Sequence, residues 1–316
     1  MTARAVLGLD AGGTSTRCLV ADRDGVVLGH GRAGGGNPVS RPPAEAAAQI
    51  RAAVAQALEA APGVDVGAAV FGVAGFAEDP AAALVLQDSL AGLGLHCPLQ
   101  VRGDAEIAFA AGTPAPDGTA LIAGTGAAAS RIEAGREVRA ADGWGWLLGD
   151  EGSGFWIGRE AVRTALRHDR PPHGPLVAGV LAALGHPVGR AGLIYRVHES
   201  PPVALARLAP VVLEAAAAGD ALAADVLARA ADLLVAAVET VRRPDERTPV
   251  VLAGGIAGTV LVGDRVTERV GRRWPDAELR RVTSSEAGAA WLAARSIWPE
   301  LGTDVHTRLC RPAALT

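Results

Sequence analysis

The chain has 316 residues, of which 49% are hydrophobic, and its formal net charge at pH 7 is −4. This length exceeds that of an ordinary single domain and predicts two lobes. The mild acidity gives no reason to expect a nucleic-acid or anionic-lipid partner. All thirty basic residues are arginines. The lack of lysine excludes a Walker A loop, the ATP-binding lysine of protein kinases and any lysine Schiff base.

The three cysteines, Cys18, Cys97 and Cys310, are far apart and include no C-x-x-C pair. This spacing argues against a structural zinc site, a disulfide framework and an iron–sulfur motif, and a reducing cytoplasm is the expected compartment. The first apolar run is too short for a signal peptide. The longest uncharged run, residues 171–189, contains four prolines and is too short in its apolar part to span a membrane.

The first third of the chain alternates predicted strands and helices. Residues 5–31, AVLGLDAGGTSTRCLVADRDGVVLGHG, are typical of three strands joined by a glycine turn and a tight turn at RDG. A helix is predicted over PPAEAAAQIRAAVAQALEA, then a buried strand in VGAAVFGVAG, a helix over residues 80–93 and a strand in PLQVRGD. This alternation indicates an α/β layer architecture.

The pattern restarts after the Pro- and Gly-rich segment GTPAPDG. TALIAGTGAAASRIEAGREVRAADG again predicts strand, glycine turn, strand, turn and strand. We therefore predict a duplicated three-strand unit, with one lobe over residues 1–115 and another over residues 116–316. Helices are predicted near residues 151–168, 175–184, 203–218 and 221–242. A short strand with a glycine turn and helix, a last strand and a last helix follow, and that helix is expected to pack on the N-terminal lobe.

Three glycine turns each follow an apolar strand, in GLDAGGTST, LIAGTGAAA and VVLAGGIAG. Glycine at such a turn lets backbone N–H groups approach a phosphate closely. One such turn is equally typical of an ordinary tight turn. Three of them, at these separations in a duplicated α/β chain, indicate nucleotide binding.

Together with GWGWLLGDEGSGFWIG at residues 143–158, these segments resemble the N-acetylglucosamine kinase branch of the BadF/BadG/BcrA/BcrD-type ATPases. That group lies within the sugar kinase, Hsp70 and actin superfamily, and the resemblance covers most of the chain. It implies an α/β fold of two RNase H-like lobes around a central cleft. It also implies ATP and Mg²⁺ as cofactors, a small amino sugar as substrate and a homodimer.

The resemblance implies nucleotide contacts at all three turns, with Asp10 facing the magnesium ion through water. From the residues alone, Asp10 is equally typical of a turn acid bonded to nearby backbone. Ala127 stands where the family usually has serine, so one hydroxyl donor is missing. The implied nucleotide-binding residues are Asp10, Gly12, Gly13 and Thr14 in the first turn, Gly124, Thr125 and Gly126 in the second, and Gly254, Gly255 and Thr259 in the third.

Phosphoryl transfer to a sugar needs a group that accepts the hydroxyl proton. Asp104, in VRGDAEIAFAAG at the junction of a predicted strand and helix, matches the family's catalytic acid. The alternative is that Asp104 caps the helix, which its position also favours. Glu106 is a local competitor that has no family match.

The resemblance also implies sugar contacts from Asn37, Trp144, Gly145 and Asp150, besides Asp104. The amide of Asn37 can both donate and accept, which suits vicinal hydroxyls, but an ordinary turn asparagine is the alternative. Trp146 either narrows the pocket or fills the core. In the same segment, we expect Leu147 and Leu148 to pack into the core and residues 154–158 to begin a buried helix.

The expected function is ATP-dependent phosphorylation of the 6-hydroxyl of N-acetylglucosamine or a related amino sugar. One alternative is an ATPase activator of a radical dehydratase, which would need cysteines for an iron–sulfur cluster. The other is a non-catalytic sugar-sensing regulator, whose N-terminal DNA-binding module would have little room before Asp10. The sequence does not identify the sugar, because one pocket residue can admit or exclude a substituent.

Overall fold

The computed structural model describes residues 3–38, 41–74, 86, 90 and 92–311. Two five-stranded sheets form its framework, with strand orders β3-β2-β1-β4-β5 and β10-β9-β6-β7-β8. The strands are β1 (Ala3–Ala11), β2 (Ser15–Asp22), β3 (Val27–Gly34), β4 (Val64–Val73), β5 (Leu99–Arg102), β6 (Gly118–Ala123), β7 (Ala127–Glu133), β8 (Arg136–Asp142), β9 (Val250–Ala253) and β10 (Leu279–Val282).

The two sheets have the same topology. In each, the first three strands are antiparallel neighbours, and the last two run parallel to the first strand of their sheet. The predicted α/β class with a duplicated three-strand unit is therefore confirmed. The helix predicted over residues 80–93 lies largely outside the described residues.

Two helices follow the strands of the first sheet. Helix α1 (Pro43–Glu59) begins at a proline, which suits a first helical turn, and it buries Ile50 and Val54 against one face of the sheet. Helix α2 (Asp104–Gly112) follows β5 directly. It does not cover its own sheet alone, because Ala105 and Phe109 pack against the second sheet.

Five helices lie between β8 and β9: α3 (Gly154–Arg167), α4 (Pro175–Ala183), α5 (Gly189–His198), α6 (Ala209–Ala217) and α7 (Ala221–Val241). The helix predicted over residues 203–218 is divided into a 3₁₀ segment, Pro202–Leu208, and α6. Pro210, which has no N–H, stands at the start of α6, so a continuous helix through it would lose a hydrogen bond. Helix α5 was not predicted, since Leu193 is its one buried residue and the apolar period is weak.

The last helical elements of the described chain are a π-helical segment (Val260–Asp264), α8 (Arg265–Arg273), α9 (Ser285–Ile297) and α10 (Thr303–Leu309). Helix α9 follows the last strand of the second sheet but packs on β1 and β4 of the first. A Cβ at Gly8 of β1 would lie 2.3 Å from the backbone nitrogen of Ala290, so glycine permits this approach. Helices α2 and α9 thus each follow the final strand of one sheet and pack on the other.

These two helices also contact each other at the centre of the molecule. A Cβ at Gly288 would lie 2.0 Å from the carbonyl oxygen of Ile107, which explains the glycine. The two lobes therefore share a central pair of helices. Within the described part of the chain, no helix is both long and apolar enough to cross a membrane.

Candidate active site

The first glycine turn joins β1 to β2. The backbone nitrogen of Gly12 donates to the carbonyl oxygen of Ser15 at 3.1 Å, and that of Gly36 donates to the carbonyl oxygen of Gly12 at 3.1 Å. The segment after β3 therefore lies against the first turn. This segment carries Asn37, which is 9% exposed, and so brings the predicted sugar ligand beside the predicted phosphate turn.

The second and third turns lie side by side at the ends of β6 and β9. The backbone nitrogens of Ile256 and Ala257 both donate to the carbonyl oxygen of Ala123, at 2.9 and 3.1 Å. Gly254 has φ of +99°, and a Cβ there would lie 2.4 Å from the same oxygen. The hydroxyl of Thr259 donates to the carbonyl oxygen of Ile256 at 2.8 Å and accepts from the nitrogen of Val262. Thr259 thus caps the segment that leaves the third turn.

The first and second turns meet across the cleft. Their threonine hydroxyls, on Thr14 and Thr125, are 2.8 Å apart and form a hydrogen bond. These residues are 111 positions apart in sequence and lie in turns that join strands of different sheets. All three predicted phosphate turns are therefore brought together, and the two lobes face each other at this point.

Helix α3 begins immediately behind the second turn. The nitrogens of Gly154 and Phe155 donate to the carbonyl oxygens of Gly124 and Thr125, at 2.8 and 3.1 Å. Ser153 is the N-cap, and its hydroxyl accepts from the nitrogen of Trp156 at 3.1 Å. The positive end of the helix dipole therefore lies at the second turn, where it favours bound anions.

Asp104 is the first residue of α2, and Gly103 occupies the N-cap position. Its Oδ1 atom accepts from the nitrogen of the next residue, Ala105, at 3.0 Å. The alternative in which Asp104 is the N-cap residue is therefore not what the structure shows. Burial raises the pKa of Asp104 to about 6. The hydrogen bond from the Ala105 N–H opposes this rise, and the nearby carboxylate of Glu137 adds to it. A carboxylate with this pKa is ionised at neutral pH and is well suited to accept a proton.

Asp10 lies at the end of β1, beside Arg17 of β2 in the strand register. Burial, followed by the negative charges of Glu286 and Asp104, raises the pKa of Asp10 to about 7, and Arg17 opposes this rise. Asp10 and Asp104 thus lie within electrostatic reach of each other. The structure brings together the predicted magnesium residue, the predicted base and the first phosphate turn.

The segment of residues 143–151, here called the tryptophan loop, is organised by Asp142. Its Oδ1 atom accepts from the nitrogens of Gly143 and Asp150, at 2.8 and 2.7 Å, and its Oδ2 atom accepts from that of Glu151 at 2.7 Å. One carboxylate therefore closes the loop at both ends. Sequence reasoning missed Asp142, although an Asp-Gly pair at the end of a predicted strand is a known signal for such side-chain turns.

Asp150 connects the tryptophan loop to the second turn. Its Oδ1 atom accepts from the nitrogen of Ala127 at 3.1 Å, and a Cβ at Gly126 would lie 2.7 Å from the same atom. Burial, followed by the charges of Asp142 and Glu151, raises its pKa against the effect of the Ala127 bond. The predicted sugar ligand Asp150 is thus also a structural partner of the predicted phosphate turn.

The side chains of the tryptophan loop differ from the expectation. Leu147 and Leu148 are each 73% exposed, so the prediction that they pack into the core is wrong. Trp144 is 68% exposed, whereas Trp146 contacts Phe155 with ring centroids 6.0 Å apart. The loop is short, and its bends are formed by bonds to Asp142 and by the nitrogens of Leu148 and Gly149, which donate to the carbonyl oxygen of Gly145. These bends turn the intervening side chains outward. The buried start of α3, with Phe155 among its core residues, is as predicted.

A model of the BadF/BadG/BcrA/BcrD ATPase family matches residues 7–293, which include all three turns, Asp104 and the tryptophan loop. The chain belongs to this family. It is 28% identical to an N-acetylmuramic acid/N-acetylglucosamine kinase of Clostridium acetobutylicum, over 92% of this chain and 98% of that protein. It is 26% identical to an N-acetyl-D-glucosamine kinase of Dictyostelium discoideum, over 94% of this chain and 99% of that protein.

Solved structures agree with the fold of this family member. A candidate N-acetylglucosamine kinase from Chromobacterium violaceum has a TM-score of 0.74 at 26% identity, and covers 92% of this chain and 99% of its own. A glucokinase from Streptomyces griseus, solved with glucose and AMPPNP, has a TM-score of 0.62 at 21% identity, with 92% and 99% covered. The predicted fold of two lobes around a central cleft is confirmed.

The donor set around Asp10 fits a magnesium ion of the kind that phosphoryl-transfer enzymes hold. Among the described residues, no group of three or more His, Cys, Asp or Glu side chains is placed to hold a metal by itself. Mg²⁺ at a nucleotide site keeps several waters and needs only one or two protein carboxylates besides the phosphates. Asp10 with water and nucleotide phosphates meets that requirement.

Proposed function

We propose that this ATPase-family protein is an ATP-dependent kinase that phosphorylates the 6-hydroxyl of N-acetylglucosamine or a closely related amino sugar. The observation that carries this proposal is the contact between two phosphate-type turns at Thr14 and Thr125. Asp104 lies within electrostatic reach of Asp10, which directly precedes the first of these turns. The names of the bacterial and Dictyostelium relatives support an amino sugar as the acceptor.

The nucleotide phosphates would lie between the first and second turns, with the adenosine along the third. Backbone N–H groups at Gly12, Gly13, Gly124 and Gly126 would face the phosphates, aided by the N-terminus of α3. Asp10 would hold Mg²⁺ through water, and bound Mg²⁺ neutralises charge on the transferring phosphoryl group. Gly254 and Gly255 would permit close approach of the adenosine.

Asp104 would act as the base. As the sugar 6-oxygen forms its bond to the γ-phosphorus, its proton passes to the Asp104 carboxylate. The bond from the γ-phosphorus to the bridging oxygen breaks, and ADP leaves. The partial burial of Asp104 supports this role, because it makes the carboxylate more basic without keeping it protonated at neutral pH.

The acceptor sugar would lie between Asn37 and the tryptophan loop. Asn37 offers an amide donor and acceptor to vicinal hydroxyls, and the Oδ2 atom of Asp150 would accept from others. The exposed indole of Trp144 offers a flat apolar face of the kind that covers sugar rings, and Gly145 leaves backbone accessible to the acetamido group. We further propose that the enzyme is a cytoplasmic homodimer with no nucleic-acid or membrane partner.

The positions of the cysteines favour the kinase over an activator that holds an iron–sulfur cluster. Cys18 is buried in the core of the first lobe, and Cys97 packs against the same core. Cys310 packs in the cluster beneath α9, and burial raises its pKa. Cluster ligation needs accessible thiolates, which burial disfavours.

The test is a panel of acceptors assayed for ADP formation with ATP and Mg²⁺. N-acetylglucosamine, glucosamine, N-acetylmuramic acid and glucose are compared by kcat/KM, and the product is analysed for a 6-phosphate. We expect turnover to depend on the sugar and to be highest for an amino sugar. Equal ATP hydrolysis with and without every sugar would contradict the proposal.

A further inference from the structure

Glu106, on the first turn of α2, is bound from both lobes. It is 8% exposed. Its Oε2 atom accepts from Nη1 of Arg102 at 3.2 Å and from Nη1 of Arg136 at 3.4 Å, and its Oε1 atom accepts from the nitrogen of Glu137 at 3.2 Å. We call this set the Glu106 bridge. Arg102 belongs to β5 and the other two partners to β8, so the bridge joins the edge strands of the two sheets.

An ordinary helix-start role does not explain these contacts. A glutamate three positions after the N-cap usually reaches back to the N-cap N–H in a capping box. Here the N-cap is Gly103, and the bonds of Glu106 go instead to Arg102 and to β8. Placing a carboxylate at this depth is costly unless it is paired, so the side chain depends on these partners.

The bridge is two residues from the proposed base. Positions two apart on a helix differ by about 200° around its axis, so Asp104 and Glu106 face different directions. Holding Glu106 therefore fixes the rotation of α2 and, with it, the direction of the Asp104 carboxylate. The same β8 strand ends at Asp142, which organises the tryptophan loop. The bridge thus connects the helix of the base to the strand that leads to the proposed sugar site.

We propose that Glu106 is a positioning residue, which orients Asp104 towards the acceptor sugar by holding α2 against β8 of the opposite lobe. This proposal rests on the kinase function proposed above. The charged groups around it are Arg102 and Arg136, which bind it, and Glu137, whose carboxylate lies near Asp104. Displacement of a catalytic group by about 1 Å can reduce a rate by about a hundredfold, so a small rotation of α2 has a measurable effect.

The experiment measures kcat, KM for ATP and amide hydrogen exchange along β8 in Glu106→Ala, Glu106→Gln and Arg136→Ala. For Glu106→Ala we expect kcat to fall by about tenfold to a hundredfold, while KM for ATP changes less than about threefold. Glutamine keeps an oxygen for the Glu137 N–H, so its kcat should lie between those of Glu106→Ala and the wild type. Arg136 is 58% exposed, so its alanine variant should fold and lose a few-fold in kcat.

Glu160→Gln is the matched control. Glu160 is 4% exposed and accepts from Arg163 at 2.8 Å and Arg229 at 3.4 Å, but all these contacts are within the second lobe. The Glu160→Gln variant should lose thermal stability as the Glu106 variants do, but its kcat and the amide hydrogen exchange of β8 should not change. Faster exchange of β8 in Glu106→Ala together with lower kcat would support the proposal.

Two results overturn the proposal. One is unchanged β8 exchange in folded Glu106→Gln and Arg136→Ala, and the other is wild-type kcat in both. A wild-type protein without sugar-dependent ADP formation overturns the kinase function itself and the positioning role with it. If only the positioning role is wrong, the wild-type protein forms ADP in the presence of sugar and the Glu106 and Arg136 variants have the same kcat as the wild type.

Discussion

The sheets of the two lobes have the same strand order, but the lobes differ in the segments inserted between the strands. In the first lobe, the described connection from β3 to β4 contains α1. In the second, the connection from β8 to β9 contains the tryptophan loop and α3 to α7. Each lobe supplies a glycine turn at the same point of its sheet, whereas the tryptophan loop and α3 to α7 have no counterpart among the described residues of the first lobe. Under the proposed function, the repeated turns bind phosphate, and the tryptophan loop of the second lobe adds contacts to the acceptor.

The comparison extends to the helices that leave each sheet. Helix α2 follows β5 and α9 follows β10, and each packs on the opposite sheet. Only α2 begins with an aspartate that has a raised pKa, because α9 begins with Ser285 and Glu286 instead. Duplication therefore supplies the central helix pair, and a single side chain makes one member of it the candidate for chemistry.

The largest effect is expected from the base in the first lobe. Asp104→Asn should lower kcat by about a thousandfold, because an amide cannot accept the hydroxyl proton. The asparagine oxygen can still accept from Ala105, so the fold should persist. Since burial disfavours the charged form, the melting temperature at pH 8 should equal or exceed that of the wild type. Wild-type kcat in a folded Asp104→Asn protein would remove Asp104 from the mechanism.

The next effect tests the insertion of the second lobe. Asp142→Ala removes the acceptor of three backbone N–H groups and should loosen the tryptophan loop. We expect KM for the sugar to rise by about tenfold to a hundredfold, with a smaller change for ATP. Asp22→Ala in the first lobe is the matched control, since Asp22 accepts from the nitrogens of Asp24 and Val26 in a comparable turn. If KM for the sugar rose equally in Asp142→Ala and in Asp22→Ala, the tryptophan loop would not be specific to the acceptor.

The third prediction concerns pH and the raised pKa of Asp104. The base must be ionised, so kcat should fall below about pH 6, by about tenfold per pH unit. Unfolding through this group does not explain such a loss. Its pKa is raised on folding, so its stabilising contribution is complete below the unfolded value and decreases as pH rises through about 6. Melting temperatures measured across the same range distinguish the two causes, and a flat rate profile from pH 5 to 8 would contradict the prediction.

The smallest effect is expected where the lobes meet. Thr14→Val and Thr125→Val each remove one partner of the 2.8 Å hydrogen bond between the turns. We expect KM for ATP to rise a few-fold in each. The coupling free energy of a double-mutant cycle should be about 0.5 kcal/mol, since the pair is exposed. Strict additivity would show that the two hydroxyls act independently in the nucleotide complex.

Local sequence signals predicted the repeated part of the molecule well. Glycine after an apolar strand, as at Gly12 and Gly124, is a short-range signal, and the repeated strand pattern predicted the second sheet. Asp104 was predicted as the base from the family resemblance, at the junction of a predicted strand and helix, and its role stays a prediction. The direction of Leu147 and Leu148 was predicted wrongly, because apolar character does not show which way a loop bends when its backbone bonds converge on Asp142.

By itself, the sequence determined the α/β class, the duplication and the three turns, because these depend on residue periods of two and 3.6 and on glycine at strand ends. The sequence also led us to expect that the last predicted helix, α9, packs on the first lobe, and it does. Only the tertiary structure decided that α2 packs on the second sheet and that Asp142 organises the tryptophan loop. It alone also decided that Glu106 receives bonds from both lobes. These contacts join residues that are distant in sequence or depend on the direction of one carboxylate. The local hydrophobic period of the sequence does not predict such contacts, because they depend on how the two lobes are arranged in space.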